Sequence, residues 1–263
     1  MFIGVASSFT MPPPPTIFLI GLGYVGQTVM DLSPSSIAGY TNNASKPFPD
    51  AAKMCSHVVI TPPILPTPDL ANSLSSHFPH LETISIISST GVYGDHQGRL
   101  VNENSETSSA HPLMEIEQSW MDNRPPNVKL RILRSAGIYG PGRSVLTPRT
   151  RNKPSTTSRR SSSASSMTIT NRIHVHDLAR FILKAPATEA PTVDIFNCSD
   201  DEPASRFDVM KFVRPETTAA ETETSKNPLK LVDNRKMKAA PFALKYNTYR
   251  EGMQSIEQCL PLN

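Results

Sequence analysis

The chain has 263 residues, a formal net charge of +3, 38% hydrophobic residues and 19% charged residues. This length and composition allow a sizeable folded α/β core, and the small charge argues against a protein that coats nucleic acid. No stretch approaches the roughly 20 apolar residues of a membrane-spanning helix, so we expect neither nucleic acid nor a membrane as a partner.

The cysteines and the N-terminal segment indicate a cytoplasmic protein. Cys55, Cys198 and Cys259 are far apart and form no C-x-x-C pair, which favours reduced thiols over a disulfide framework or a zinc site. Residues 1–15 end in four prolines and lack the charged start of a secretory signal. We therefore expect a flexible leader, cytoplasmic localisation and no metal.

The first predicted element is a strand, a tight turn and the start of a helix within residues 16–30. Four apolar residues, 17–20, run into a G-x-G-x-x-G pattern. Its glycines would permit the turn, the approach of a pyrophosphate and close helix packing, and the helix N-terminus would face phosphate. This pattern predicts a dinucleotide-binding turn, with a plain glycine-rich turn as the alternative. The predicted cofactor contacts here are Gly21, Gly23, Tyr24, Val25 and Gly26.

A weak second strand follows at residues 37–41. An acid after this strand would favour NAD and an arginine NADP, but the chain has Thr41, Asn42 and Asn43 there. We assign Asn42 to the cofactor site and leave the choice of NAD or NADP open. Only about fifteen residues separate Thr41 from the next strand, whereas a βαβ unit needs about 30. One strand–helix unit is therefore shortened or lost, which would leave the second strand at the sheet edge.

The remaining periodicity alternates between strands and helices. Strands are predicted at 56–63, 83–90, 128–134, 168–175 and 193–198, and helices at 69–77, 113–121, 177–184 and 208–213, with a strand-turn-helix at 246–260. Thr61 and Pro62 follow a strand at the edge where ligands bind in open α/β sheets, so we assign both to the cofactor site. Asp177 is predicted to cap its helix.

Three segments, 87–94, 133–142 and 171–177, resemble motifs of the extended short-chain dehydrogenase/reductases, the NAD-dependent epimerase/dehydratase family. They stand in the family's order and spacing, and the resemblance covers residues 16–256. It is greatest to an atypical subgroup with Glu117-Gln-x-Trp120. The resemblance implies a Rossmann-type doubly wound parallel sheet with a small C-terminal α/β substrate lobe. The NAD(P)-binding lobe would span 16–146, and residues 168–263 would complete the sheet and the substrate lobe.

The family usually moves a proton with a Tyr-x-x-x-Lys pair, which this chain lacks. Ser109 and Leu113 appear at those two positions. The resemblance assigns catalysis to Ser89, with Tyr93 or a histidine moving the proton, and His96 and His111 lie in adjacent loops. It assigns Ser88 to the cofactor, and Tyr139, Arg172 and His174 to a small-molecule substrate bearing a hydroxyl or carbonyl. The missing pair favours the alternative of a sensor or scaffold that binds NAD(P) without turnover.

Several side chains have competing interpretations. Residues 147–167 are basic and serine-rich, which favours a solvated loop over a nucleic-acid patch. His174 and His176 are expected to share one strand face, with metal binding improbable. Arg134 would either pair with a ligand oxygen or form a structural salt bridge. Glu117 and Trp120 are expected to be surface and core anchors, and the oligomeric state stays open.

Overall fold

The structure is a computed structural model that describes residues 16–43, 47–145, 168–184, 192–216 and 228–258. The predicted leader, 1–15, and the predicted basic loop, 147–167, lie outside the described residues. The strands are β1 (Ile17–Ile20), β2 (Ile37–Thr41), β3 (His57–Ile60), β4 (Thr83–Ser89), β5 (Leu100–Val101), β6 (Lys129–Ser135), β7 (Gly137–Tyr139), β8 (Ile169–Thr170), β9 (Arg172–His174), β10 (Val193–Cys198), β11 (Ala204–Ser205) and β12 (Leu231–Val232). The helices are α1 (Tyr24–Leu32), α2 (Pro68–His77), α3 (Pro112–Asn123), α4 (Val175–Leu183), α5 (Arg206–Val213), α6 (Arg235–Ala239) and α7 (Tyr249–Gln258).

A six-stranded parallel sheet, ordered β10-β6-β4-β3-β1-β2, forms the centre of the fold. This arrangement confirms the predicted α/β class and the doubly wound parallel sheet. Strand β2 lies at the sheet edge, as the missing unit predicts. Between residue 47 and β3, the described residues form only a 3₁₀ turn, Asp50–Met54, in place of a strand and helix.

Apolar runs without alternation explain why the central strands are buried on both faces. All four residues of β1 and of β3 are buried. One face of the sheet packs against α1 and α4, and the other packs against α2 and α3, where Trp120 is fully buried. The prediction that Trp120 is a core residue is therefore confirmed. Because β1, β3 and β4 pair in parallel, their carboxyl ends lie along one edge of the sheet.

The structure corrects the predictions for residues 168–175 and for Asp177. Asn171 separates β8 from β9, and β9 ends at His174, so His174 and His176 do not share a strand face. The helix N-cap is His174, whose ring accepts a hydrogen bond from the His176 backbone N–H. Asp177 therefore does not cap α4.

Asp177 instead ties α4 to the segment that precedes α7. Its carboxylate accepts hydrogen bonds from the backbone N–H groups of Lys245 at 2.7 Å and Tyr246 at 2.9 Å. This contact gives Asp177 a structural role in place of the predicted helix cap. Within residues 246–258 the structure contains α7 and no strand, so the predicted strand-turn-helix is only a helix there.

Strand β3 carries a buried ionisable side chain. His57 is buried, and its Nε2 lies 2.8 Å from Ser85 Oγ. Its Nδ1 has no hydrogen-bond partner among the described residues. Burial, assisted by the charge of Arg131, lowers the pKa of His57 from 6.5 to about 3, so the native protein holds this ring neutral.

We expect acid to destabilise the protein through His57. The unfolded chain binds a proton near pH 6.5, whereas the native state resists it down to about pH 3. The contribution of His57 to the free energy of unfolding is therefore fully present above pH 6.5. It decreases by about 1.4 kcal/mol per pH unit as the pH falls from 6.5 towards about 3. Urea unfolding at several pH values measures this slope. His57→Asn should remove the contribution of His57 to this slope and leave that of His174, whose pKa is also lowered to about 3, whereas the exposed control His80→Asn should leave the slope unchanged. An unchanged slope in His57→Asn would contradict the assignment.

Candidate active site

The turn after β1 has a backbone conformation that only glycine adopts readily. Gly21 has a φ of +96°, and a Cβ there would lie 2.6 Å from both Pro62 Cδ and Thr61 Oγ1. The Thr61 hydroxyl donates a hydrogen bond to the Gly21 carbonyl at 2.9 Å. Thr61 and Pro62, which the sequence assigns to the cofactor, therefore lie directly against the turn and fix its conformation.

The start of α1 is open to an anion. A Cβ on Gly26 would lie 2.1 Å from the Gly21 carbonyl oxygen, so glycine permits the helix to approach the turn. Gly23 is different, because no atom lies within 4 Å of where its Cβ would be. Gly23 provides no side-chain cap, and the first helical turn contains no acid. The helix dipole and the first backbone N–H groups therefore present positive charge in front of Gly23.

Asn42 connects the glycine turn to a large cavity. Its Oδ1 accepts a hydrogen bond from the Leu22 backbone N–H at 2.7 Å, and Gly21 N–H donates to the Thr41 carbonyl at 2.8 Å. Asn42 also lines a cavity of about 710 Å³ with residues that follow β2 and β3, which are Asn43, Pro47, Ile64, Leu65, Thr67, Asp69, Leu70, Ser73 and His77. The neutral amide of Asn42 does not distinguish NAD from NADP.

Tyr24 and Val25 hold the first turn of α1 in place. Val25 is buried in the core. The Tyr24 hydroxyl donates a hydrogen bond to the Pro141 carbonyl at 3.0 Å, and burial raises the pKa of Tyr24 to about 12. The guanidinium of Arg143 lies 5.6 Å from the centre of the Tyr24 ring. Tyr24 therefore joins the glycine turn to the loop after β7.

A buried ion pair lies below the end of β4. Arg134 and Glu117 form a salt bridge of 2.8 Å, and both side chains are almost completely buried. The Ser88 hydroxyl donates a hydrogen bond to the same carboxylate. The prediction that Glu117 lies on the surface is therefore wrong, and the salt-bridge interpretation of Arg134 is confirmed. The sequence signal was its spacing of three from Trp120, which places both on one face of α3.

Tyr93 belongs to the same buried network. Its hydroxyl donates to Asn197 Oδ1 at 2.7 Å and accepts from Arg134 Nη1 at 3.0 Å. Burial raises the pKa of Tyr93, although the charge of Arg134 opposes this change. The side chain is 2% exposed, and both of its hydrogen-bond partners, Asn197 and Arg134, are buried. This geometry suits a residue that positions the strand ends better than one that transfers a proton.

Ser89 lies at the end of β4 with an oriented hydroxyl. Its Oγ accepts a hydrogen bond from the Gly91 backbone N–H at 3.0 Å, at the start of a 3₁₀ turn, Thr90–Tyr93. The hydroxyl hydrogen is consequently directed elsewhere and can be donated to a ligand. The structure also brings His111 to this place, because its Nε2 and Ser89 Oγ both face Gly91. The sequence located His111 only in a nearby loop.

The three predicted substrate residues lie around a second cluster of buried rings. His174 is buried between Tyr139, at 5.2 Å between ring centres, and Tyr246, at 4.2 Å. Burial lowers the pKa of His174 to about 3. Its Nε2 and the Tyr139 hydroxyl have no hydrogen-bond partner among the described residues. Neutral His174 and protonated Tyr139 therefore offer polar atoms that a ligand or water would satisfy.

Arg172 lies beside this cluster, close to the buried carboxylate of Asp200. Its guanidinium donates to the Thr170 carbonyl at 3.0 Å and lies 5.9 Å from the Tyr249 ring centre. Burial lowers the pKa of Arg172. Burial also raises the pKa of Asp200 to about 8, although the charge of Arg172 opposes this change. The structure thus brings Tyr139, Arg172 and His174 together, and it adds Asp200, which the sequence did not identify.

Within the described part of the chain, no group of three or more histidine, cysteine, aspartate or glutamate side chains is arranged to hold a metal ion. None of the helices in this part of the chain is long and apolar enough to cross a membrane.

Comparison with known proteins gives structural matches only. No family model and no curated protein matches the sequence. A Methylobacillus flagellatus protein provisionally described as an NAD-dependent epimerase/dehydratase is 18% identical, with a TM-score of 0.67 over 94% of this chain and 98% of its own. MoeE5, in complex with UDP-glucuronic acid and NAD, is 15% identical, with a TM-score of 0.67 over 92% and 97%. The human epimerase family protein SDR39U1 with NADPH is 12% identical, with a TM-score of 0.62 over 93% and 100%. At these identities the likeness shows a shared fold.

The ion pair should be far more costly to break than to replace. Glu117→Gln leaves the buried Arg134 charge uncompensated, so we expect the free energy of unfolding to fall by about 3–5 kcal/mol. Replacing both residues, in Glu117→Leu/Arg134→Met, should destabilise by less than the sum of the single changes. Urea denaturation of the singles and the double measures this coupling. Asp50→Asn, which breaks an exposed ion pair with Lys53, is the control; additive effects at 117 and 134 would refute the buried network.

Proposed function

We propose that this protein binds NAD or NADP and acts as an oxidoreductase or epimerase on a small molecule that bears a hydroxyl or carbonyl group. The observation that carries the proposal is the start of α1, where Gly23 is open and no side chain caps the helix. A diphosphate fits there because it is an anion that needs close approach to backbone N–H groups.

The surroundings of the turn support a dinucleotide rather than a simple anion. Asn42 is shared between the turn and the 710 Å³ cavity, which is large enough for a nucleoside. Structural neighbours with bound NAD or NADPH support the same cofactor class. The nicotinamide group would supply or accept a hydride. The residues proposed to hold the cofactor are Gly21, Gly23, Tyr24, Val25, Gly26, Asn42, Thr61 and Pro62. Ser88, which the sequence assigned to the cofactor, instead donates its hydroxyl to Glu117.

We assign substrate activation to Ser89. Because its Oγ already accepts a hydrogen bond from Gly91, its O–H is left to donate to a substrate oxygen. The buried network of Glu117, Arg134 and Tyr93 would hold the end of β4, and with it Ser89, in a fixed position. Tyr93 is thus proposed as a positioning residue, in place of the proton carrier that the sequence suggested.

The substrate would extend from Ser89 towards Tyr139, Arg172 and His174. The unpartnered atoms of Tyr139 and His174 support this assignment. Residues 168–263 would form the substrate lobe, and strand β10 from this segment does complete the sheet. We further propose cytoplasmic localisation, with neither nucleic acid nor a membrane as a partner.

A second candidate is a sensor or scaffold that binds NAD(P) without turnover. The absence of a Tyr-x-x-x-Lys pair favours it, as does the enclosure of Tyr93. Nucleotide titration combined with an absorbance assay at nicotinamide wavelengths separates the two candidates. Tight binding with no turnover of sugar nucleotides or hydroxy-carbonyl compounds would favour the sensor.

A substitution at Gly23 tests the cofactor site without damaging the fold. Gly23→Asp introduces a carboxylate into open space, at an N-cap position where aspartate is favourable. The unliganded variant should therefore be at least as heat-stable as the wild type. Its affinity for NAD(H) and NADP(H) should fall by about 100-fold or more, because juxtaposed like charges cost several kcal/mol. Calorimetric titration and thermal shift measure both quantities.

The matched control is Asn123→Asp, which adds the same charge at the C-terminal end of α3. It should bind dinucleotide like the wild type. The proposal fails if the wild type binds neither NAD(H) nor NADP(H), or if Gly23→Asp binds them unchanged.

A further inference from the structure

We propose that His111 is the catalytic acid and base of this site, in place of the missing tyrosine. This inference rests on the proposed function and deepens it, because it names the group that moves the substrate proton. The sequence assigns His111 no role beyond that of a loop histidine near Ser89.

The geometry around Gly91 carries the inference. A Cβ on Gly91 would lie 2.9 Å from His111 Nε2 and 3.2 Å from Ser89 Oγ. The ring nitrogen and the hydroxyl oxygen thus flank the same glycine, and His111 can approach it this closely only because position 91 has no side chain. A substrate oxygen bound beside Ser89 Oγ and His111 Nε2 would meet one hydrogen-bonding group from each residue.

The start of α3 fixes the imidazole in this orientation. His111 is the N-cap of α3, and its Nδ1 accepts a hydrogen bond from the Leu113 backbone N–H at 3.3 Å. The His111 backbone N–H donates to the Ser108 carbonyl at 2.9 Å. With Nδ1 held by the helix, Nε2 is the nitrogen that faces Ser89. His111 also lies two residues after Ser109, the position at which the family resemblance expects the tyrosine.

Other titratable groups near the site are less suited to proton transfer. The Tyr93 hydroxyl is enclosed by Asn197 and Arg134. His96 Nε2 lies 3.0 Å from the Glu106 carbonyl oxygen, so this nitrogen is already engaged. His174 is buried, which keeps it neutral. His111, unlike Tyr93 and His174, is partly exposed.

The proposed step balances as a proton and a hydride. In the oxidation of an alcohol, His111 Nε2 would accept the O–H proton, a bound oxidised nicotinamide would accept the hydride from the same carbon, and a carbonyl would form. In the reduction, imidazolium Nε2–H would return the proton to the oxygen. Accepting a proton at Nε2 requires the Nδ1–H form of the ring, so the 3.3 Å bond from Leu113 is broken during turnover. Solvent then restores the starting protonation state.

His111→Asn tests this role while preserving the helix cap, because asparagine is among the best N-cap residues. The assay follows nicotinamide absorbance with NAD⁺ or NADP⁺ and a panel of sugar nucleotides and hydroxy compounds. We expect kcat to fall by about 100- to 10,000-fold. The melting temperature and the dinucleotide affinity should match the wild type. His96→Asn, a histidine on the neighbouring loop, is the control and should retain its kcat within about threefold.

Chemical rescue separates proton transfer from a structural role. Added imidazole should restore part of the kcat of His111→Ala but none of the kcat of Ser89→Ala. A His111→Asn variant with kcat within about threefold of the wild type would overturn the inference alone. A wild type that binds dinucleotide but turns over no compound in the panel would overturn both the enzymatic proposal and this inference. A wild type that binds no dinucleotide would overturn the proposed function itself.

Discussion

The contact between Gly26 and the Gly21 carbonyl is the constraint on which the candidate site depends. With a Cβ at position 26 only 2.1 Å from that oxygen, α1 could not begin where it does. The same contact directs the N-terminus of α1 into the space before Gly23. The Thr61 hydroxyl donates to the Gly21 carbonyl, and the Asn42 side chain accepts from the Leu22 N–H. Residues that follow β2 and β3 therefore both hold the turn that follows β1.

A second constraint is the buried network of Glu117 and Arg134. Removing two charges from water is expensive, so such a pair persists only where its hydrogen bonds are complete. Here Ser88 and Tyr93 complete them. The network joins α3, β4 and β6 directly below Ser89 and beside the start of α3. The network fixes the positions of β4 and α3, the two elements that carry Ser89 and His111.

Much of the fold could be predicted from local patterns. The run of residues 17–20 followed by spaced glycines predicted β1 and α1, and the short spacing between β2 and the next strand predicted that β2 would be an edge strand. These features depend on neighbouring residues and on the minimum size of a βαβ unit.

The site could be predicted less well, because its contacts join distant parts of the chain. Glu117 resembles a surface residue in sequence, and only its pairing with Arg134 explains its burial. Asp177 resembles a helix cap, but the backbone N–H groups that it binds lie almost 70 residues away, at Lys245 and Tyr246. The position of His111 beside Ser89 likewise depends on how α3 docks on the sheet.

A crystal structure of the protein with bound NADH or NADPH tests the central claim most directly. The account predicts that diphosphate oxygens accept hydrogen bonds from backbone N–H groups at the start of α1, in front of Gly23, and that the adenosine occupies the cavity lined by Asn42. A dinucleotide bound elsewhere, with the first turn of α1 making no contact with phosphate, would contradict it.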